Sequence, residues 1–329
     1  MRKLIFGLSV LLFSCGGEQV AKETKSDIAQ LSEQLLKTPY DLHLIEARKQ
    51  LFLDRGNVEA ALIDQRQIVA LDSTNHELLY ELAHMQYKVA ISGKPDYYRA
   101  ALNSLSKELE AQEKHTESLL LRGELRYLYK KHKESLTDLN NVLRANPYEA
   151  KAYFYKGLNF KEMGDLEKAT AQFQTAVEQD PNYKEAFEQL GFIYEFQGNP
   201  LAENYFNNAL AVDSSDVQLW YNKGKYLQDL GRFEDAKKCY RSILRRDQFN
   251  QFAHYNLGYI YLKQQDFESG ANHFSEVIYT NPNYTSAFFA RGICFKEMGN
   301  LPQAKLDFQN TLKLDPDFRE AQDELQKMK

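Results

Sequence analysis

Proline and glycine are scarce in this chain of 329 residues, with 8 and 16 respectively, and Trp220 is the only tryptophan. So few chain breakers argue against a loop-dominated protein. The 21 tyrosines and 20 phenylalanines exclude a disordered one, because so much aromatic surface drives burial. Cysteine is limited to Cys15, Cys239 and Cys294, with no C-x-x-C pair and no His/Cys cluster, so no metal site is expected. Cys239 and Cys294 fall inside helical patterns far apart along the chain. Each is expected to pack as a small hydrophobe, not to form a disulfide. The net charge of −5 is interspersed and no basic block stands out, so nucleic acid is not an expected partner. Nucleophile elbow, P-loop and H-E-x-x-H motifs are all missing, and the seven histidines are scattered. His254 lies at a bulky core position of its helix and reads as packing. No enzymatic activity and no small-molecule cofactor are expected.

What is present begins at the N-terminus. Met1-Arg2-Lys3 is a positive start, and Leu4 to Phe13 is an apolar run too short for an ordinary membrane span. Ser14-Cys15-Gly16 follows, and Leu12 to Cys15 resembles the lipobox of bacterial lipoproteins. The resemblance implies cleavage before Cys15, lipidation of its thiol and a bilayer as partner. Each buried methylene of an acyl chain contributes ~0.8 kcal/mol. Gly16, where an Asp would retain the protein at the inner membrane in well-studied bacteria, points to the outer membrane facing the periplasm. Gly16 to Ser26 reads as a polar tether. Asp27 to Lys37 reads as an amphipathic helix with Ile28, Leu31, Leu35 and Leu36 on one side.

The rest of the chain repeats one pattern. In Ala150–Tyr183, Tyr153, Lys156, Gly157 and Phe160 share one face of a helix. Gly164-Asp165 breaks it, Gly by taking the left-handed position and Asp by capping the next helix. Ala169, Phe173 and Ala176 form a second stripe, and Asp180-Pro181 ends it. Gly123, Gly157, Gly191, Gly224, Gly258 and Gly292 recur 34, 34, 33, 34 and 34 residues apart. A second small position holds Ala61, Ala101, Ser135, Ala169, Ala202, Ala236, Gly270 and Ala304. Four residues after each stands a larger residue, from Gln65 and Leu105 to Phe274 and Phe308. Small residues at two fixed places let paired helices approach closely, and the bulky one fills the gap beside them; a larger side chain would overpack at ~1–3 kcal/mol.

This pattern resembles the tetratricopeptide repeat (TPR), a helix–turn–helix whose copies stack into a right-handed superhelix. The resemblance covers about 85% of the chain. It implies an all-α fold: a right-handed α-solenoid of about eight TPR units starting near Leu42, His76, Thr116, Ala150, Lys184, Val217, Gln251 and Thr285. The expected organisation is a signal peptide over residues 1–14, a lipid anchor and tether over 15–26 and an N-terminal helix over 27–40. Eight repeats over 41–318 and a C-terminal capping helix over 319–329 complete it. Three departures stand out. The first repeat has Lys49 in place of Gly or Ala and Gln65 in place of an aromatic. The second has about six extra residues around Ser92 to Asp96, read as an enlarged turn. The fifth is one residue short near Gly198 to Pro200.

In TPR proteins the first helices line a concave surface that holds partners. Position 9 of the repeat, normally polar there, reads Gln50, His84, Glu124, Leu158, Phe192, Lys225, Tyr259 and Ile293. Phe252 at position 2, Phe154, Tyr221, Tyr255 and Phe289 at position 5, and Phe196 at position 13 extend an aromatic track. Two readings compete: the rings bury one another, or they form a groove for an apolar peptide segment. A few anchors worth ~1.5–3 kcal/mol each would support micromolar binding. Position 5 carries no Lys and position 9 no Asn, which disfavours a chaperone carboxylate clamp. The chain therefore reads as an envelope-anchored scaffold collecting protein or peptide partners. A non-lipidated adaptor, or a non-catalytic subunit of an envelope enzyme complex, is the alternative.

Overall fold

The boundaries of the repeats become helix ends in the structure, a computed structural model that describes residues 16–328, with side chains from 27 on. Cys15 and the apolar run before it lie outside the described residues. Among the described residues there are eighteen α-helices and no strand. The first helix of each repeat begins at Leu42, His76, Thr116, Ala150, Lys184, Val217, Gln251 and Thr285. Two units divide the chain, residues 1–169 and 170–329.

Local chemistry sets the turns. Gly164 adopts φ +82°, Asp165 N–H donates to Phe160 O at 2.9 Å, and Asp165 Oδ1 accepts from Lys168 N at 3.1 Å. The left-handed glycine thus ends α8 (Ala150–Glu162) and the aspartate starts α9 (Leu166–Gln179). At the equivalent place two repeats carry side chains in that same conformation, Lys130 at φ 56° and Gln265 at φ 63°.

The first unit opens with α1 (Gly16–Lys37), so the backbone is helical through the stretch read as a tether as well as through Asp27–Lys37. Leu35 is buried with Ile45 and Ile68, but Leu36 is 82% exposed and lies off the packing face. In the second repeat the extra residues do not enlarge the turn much. They lengthen α4 (His76–Ile91) and α5 (Asp96–Ala111) to 16 residues each, where α2 (Leu42–Asp54) has 13 and α3 (Val58–Leu71) has 14. The physical reason is that Val89 and Ala90 continue the apolar face of α4 and are buried. In the first repeat Lys49 and Gln65 are both buried, and the Lys49 ammonium donates to Gln65 Oε1 and to Glu81 Oε1, each at 2.9 Å.

In the second unit α10 (Lys184–Phe196) packs on α11 (Leu201–Val212) and α12 (Val217–Asp229) on α13 (Phe233–Leu244). Further along, α14 (Gln251–Lys263) packs on α15 (Phe267–Thr280), α16 (Thr285–Glu297) on α17 (Leu301–Leu314), and α18 (Arg319–Lys327) on α17. The small–bulky rule holds as contact. A Cβ at Gly191, Gly224, Gly258 or Gly292 would stand 2.7–2.9 Å from the ring of Phe206, Tyr240, Phe274 or Phe308. Ala321 and Leu325 of α18 cover Ala304 and Phe308, closing the apolar end of the array.

A recurring ion pair was not read from the sequence. Arg48 meets Asp64, Arg122 meets Asp138 and Arg291 meets Asp307, each pair sixteen residues apart and joining the two helices of one repeat. α6 (Thr116–Leu128) and α7 (His132–Ala145) carry the middle pair. Each guanidinium binds its carboxylate through two nitrogens at 2.6–3.0 Å, and the aspartates are essentially buried.

Candidate functional site: an aromatic pocket

Helical spacing gathers part of the aromatic track in one place. On α12, Tyr221, Lys225, Gln228 and Asp229 share one side. On α14, Phe252, Tyr255, Asn256 and Tyr259 recur at i, i+3, i+4 and i+7. With Phe233 and Tyr284 they line a concave pocket of about 620 Å³. Phe252 is 50% exposed and meets Tyr221 edge to face at 6.3 Å, while Tyr255 lies 5.2 Å from Tyr284. Burial pushes the phenols of Tyr255 and Tyr284 above the ordinary range, so they remain neutral hydrogen-bonding groups.

Polar groups frame the rings. Lys225 pairs with Asp229 at 2.5 Å, and the Lys263 ammonium lies 5.4 Å above the Tyr259 ring. Asn256 is fixed by donating to Phe252 O at 2.8 Å. The arrangement offers ring faces and edges with hydroxyl handles, which suits binding an apolar segment with a few directed hydrogen bonds. Among the described residues no group of three or more His, Cys, Asp or Glu is placed to hold a metal ion.

Four of the ten expected groove residues, Tyr221, Phe252, Tyr255 and Tyr259, come together here. The others do not line this pocket. Phe192 is half-buried against Phe206 at 5.6 Å, and Phe196 is 80% exposed near the end of α10. Phe289 packs on Phe308 and Phe318, and Ile293 joins the same cluster under the capping helix, so self-packing accounts for both. In the first unit Leu158 is half-buried. Phe154 is only 9% exposed, with Tyr155 edge-on at 5.5 Å, and offers little surface to a partner.

Tyr284 and Phe233 were missed because they stand at helix starts, outside the first-helix columns compared. His254 has a partner to which the sequence did not point. It is buried, as expected of a packing residue, but its Nδ1 lies 2.9 Å from Nδ1 of His273, and its Nε2 lies 2.9 Å from Gln248 O. A carbonyl only accepts, so in the neutral pair His254 carries its proton on Nε2 and His273 donates from Nδ1. Burial, with His254 and Arg241 nearby, pushes His273 down to about 4. Cys239 and Cys294 are buried free thiols, pushed up to about 11 and about 12 mainly by burial, as inert packing residues are.

Comparison with known proteins agrees with the repeat architecture. Residues 157–198 match a model described as TPR repeat, and residues 221–285 one described as tetratricopeptide repeat. The anaphase-promoting complex subunit CDC16 of Saccharomyces cerevisiae is 28% identical over 163 residues, 47% of this chain and 19% of that protein. The type IV pilus assembly protein PilF of Pseudomonas aeruginosa is 27% identical over 158 residues, 46% of this chain and 62% of PilF. This chain thus spans less than two thirds of either relative. Among solved structures, the C-terminal part of a TPR repeat-containing protein from Cytophaga hutchinsonii superposes with a TM-score of 0.64 at 18% identity, over 74% of this chain and 98% of that one. YrrB, a TPR protein with an unusual peptide-binding site, gives 0.51 at 19% identity, over 57% and 97%. At these identities the structures speak to fold alone.

Proposed function

We propose that this chain of tetratricopeptide repeats is a non-catalytic scaffold that captures protein partners through the aromatic pocket of its second unit. The observation that carries the reading is the convergence of Tyr221, Phe252, Tyr255 and Tyr259 on one open pocket. Phe252 in particular exposes half of a large apolar side chain beside three tyrosines, where a ligand side chain gains burial at about 25 cal/mol per Å². Changing Phe252 and Tyr259 together to Ser removes one half-exposed ring and one half-buried ring from the pocket wall. Partner capture from membranes should fall about tenfold or more, with the far-UV dichroism unchanged. Full capture by the folded double variant sinks the reading.

On the same proposal, lipid on Cys15 holds this scaffold on the periplasmic face of the outer membrane, a reading supported by the lipobox-like segment of the sequence. Assembly of an envelope complex is the role suggested by that anchor together with the partial likeness to PilF, which is named for pilus assembly. Cys15→Ser should release the protein from the membrane fraction and abolish acyl labelling. An absence of acyl labelling in the unaltered protein, with fractionation unchanged by Cys15→Ser, would leave an unlipidated adaptor as the better description.

A further inference from the structure

We propose that the cavity beside Trp220, between α12 and α13, is a second binding site, one for a phosphate group. The cavity has about 510 Å³, and five cationic side chains line it against two carboxylates, Glu203 and Asp235. Those two acids are already engaged. Glu203 and Asp235 hold Arg232 at 2.5 and 2.7 Å, and Asp235 also holds Lys238 at 2.9 Å.

The remaining cations, Lys223, Arg241 and Arg245, have neutral partners instead. Lys223 lies 5.9 Å above the Trp220 ring, Arg241 donates to Tyr261 Oη at 2.8 Å, and Arg245 donates to Ser242 Oγ at 2.6 Å. Three positive charges in one concavity, none of them in a salt bridge among the described residues, are unexpected in a chain whose net charge is −5. Their field extends beyond the cavity, since the charge of Arg241 is among the causes that hold His273 low. Two guanidiniums and an ammonium suit a group with three or more acceptor oxygens and up to two negative charges, which is a phosphate rather than a single carboxylate. A soluble phosphate compound and a phospholipid headgroup share that chemistry. The site does not depend on the aromatic pocket, whose lining residues are different.

Trp220 lines the cavity and is the only tryptophan, so its fluorescence reports occupancy directly. The full chain is titrated with sodium pyrophosphate, with phosphatidylglycerol vesicles, with phosphatidylcholine vesicles as a zwitterionic control, and with triglutamate. A saturable change with pyrophosphate, weakened by salt, supports a soluble ligand. A saturable change with phosphatidylglycerol vesicles alone supports a headgroup. In either case Arg241→Gln/Arg245→Gln, and separately Lys223→Gln, should weaken binding about tenfold or more. Lys313→Gln, exposed on α17 and outside both pockets, should leave it unchanged, and dichroism checks that each variant is folded. No saturable change with any phosphate probe, an equal response to triglutamate, or unaltered binding by both sets of folded cavity variants would overturn the proposal.

Discussion

Lys49 donates to Gln65 Oε1 at 2.9 Å in the place where later repeats set a glycine against an aromatic ring. The two residues that depart from the repeat pattern are therefore partners. Gln65 in turn donates to Leu78 O at 3.0 Å, so the substitution also ties the first repeat to the second. A polar pair in a buried position is stable only while both members are present. Lys49→Ala should cost about 1–3 kcal/mol by leaving Gln65 Oε1 without a donor. Lys49→Gly with Gln65→Phe, which restores the contact of the other repeats, should recover most of that loss. Urea denaturation of the single and double variants measures the coupling, and simple additivity would refute it.

Where the glycine is retained, the contact is tight. A Cβ at Gly292 would lie 2.7 Å from Phe308 Cε1 and 3.2 Å from Asp307 Cβ. Gly292→Ala should destabilise by ~1–3 kcal/mol, because the ring cannot retreat without moving its whole helix. Thermal denaturation should show a lower Tm, and an unchanged Tm would mean that the helices separate freely.

The turns make the opposite prediction. Lys130 and Gln265 hold positive φ where five other repeats place a glycine at φ +65° to +82°. Relieving that conformation outweighs the extra freedom glycine gives the unfolded chain. Lys130→Gly and Gln265→Gly should each stabilise by about 0.5–1 kcal/mol. Loss of stability in both variants would indicate that the side chains supply something the backbone argument omits.

The arginine–aspartate pairs should respond asymmetrically. Arg291→Met leaves Asp307, 1% exposed, without its guanidinium and should cost ~3–5 kcal/mol. Replacing both, with Asp307→Leu added, should be much milder because no buried charge is stranded. Chemical denaturation of the two variants decides it, and equal losses would contradict the argument.

Acidification tests the histidine pair. His273 titrates near about 4 in the fold against an ordinary value of 6.5. The unfolded chain therefore binds the extra proton first. This contribution leaves stability highest above pH 6.5, and stability falls as pH drops from about 6.5 towards about 4. His273→Gln should flatten that part of the pH profile. A profile as steep as that of the unaltered protein would assign the dependence to other groups.

How far the sequence carried the fold is clearest in Ala150–Tyr183. The helix starts, the left-handed Gly164 and the cap at Asp165 follow from backbone preferences of single residues and are local. The candidate pocket was half legible. Spacing put Phe252, Tyr255 and Tyr259 on one face of α14, because residues three and four apart share a helix face, and Tyr221 holds the same repeat position on α12 as Tyr255 does on α14. Tyr284 comes from a turn, and no period points to it.

By itself the sequence determined that the chain folds as helix pairs repeating about every 34 residues, because side-chain size and turn chemistry at fixed spacing act within one repeat or between neighbours. Only the tertiary structure decided which aromatic faces stay open. Phe154, Phe289 and Phe252 occupy comparable first-helix faces, yet Phe154 is buried and Phe289 packs on Phe308 and Phe318, while Phe252 remains half exposed. The same holds for the cations around Trp220, whose lack of salt bridges among the described residues depends on which carboxylates Arg232 and Lys238 have already taken. Periodicity sets the side of the helix from which a residue emerges. What covers that side, and which charges cancel, depends on neighbours that the fold brings together from distant parts of the chain.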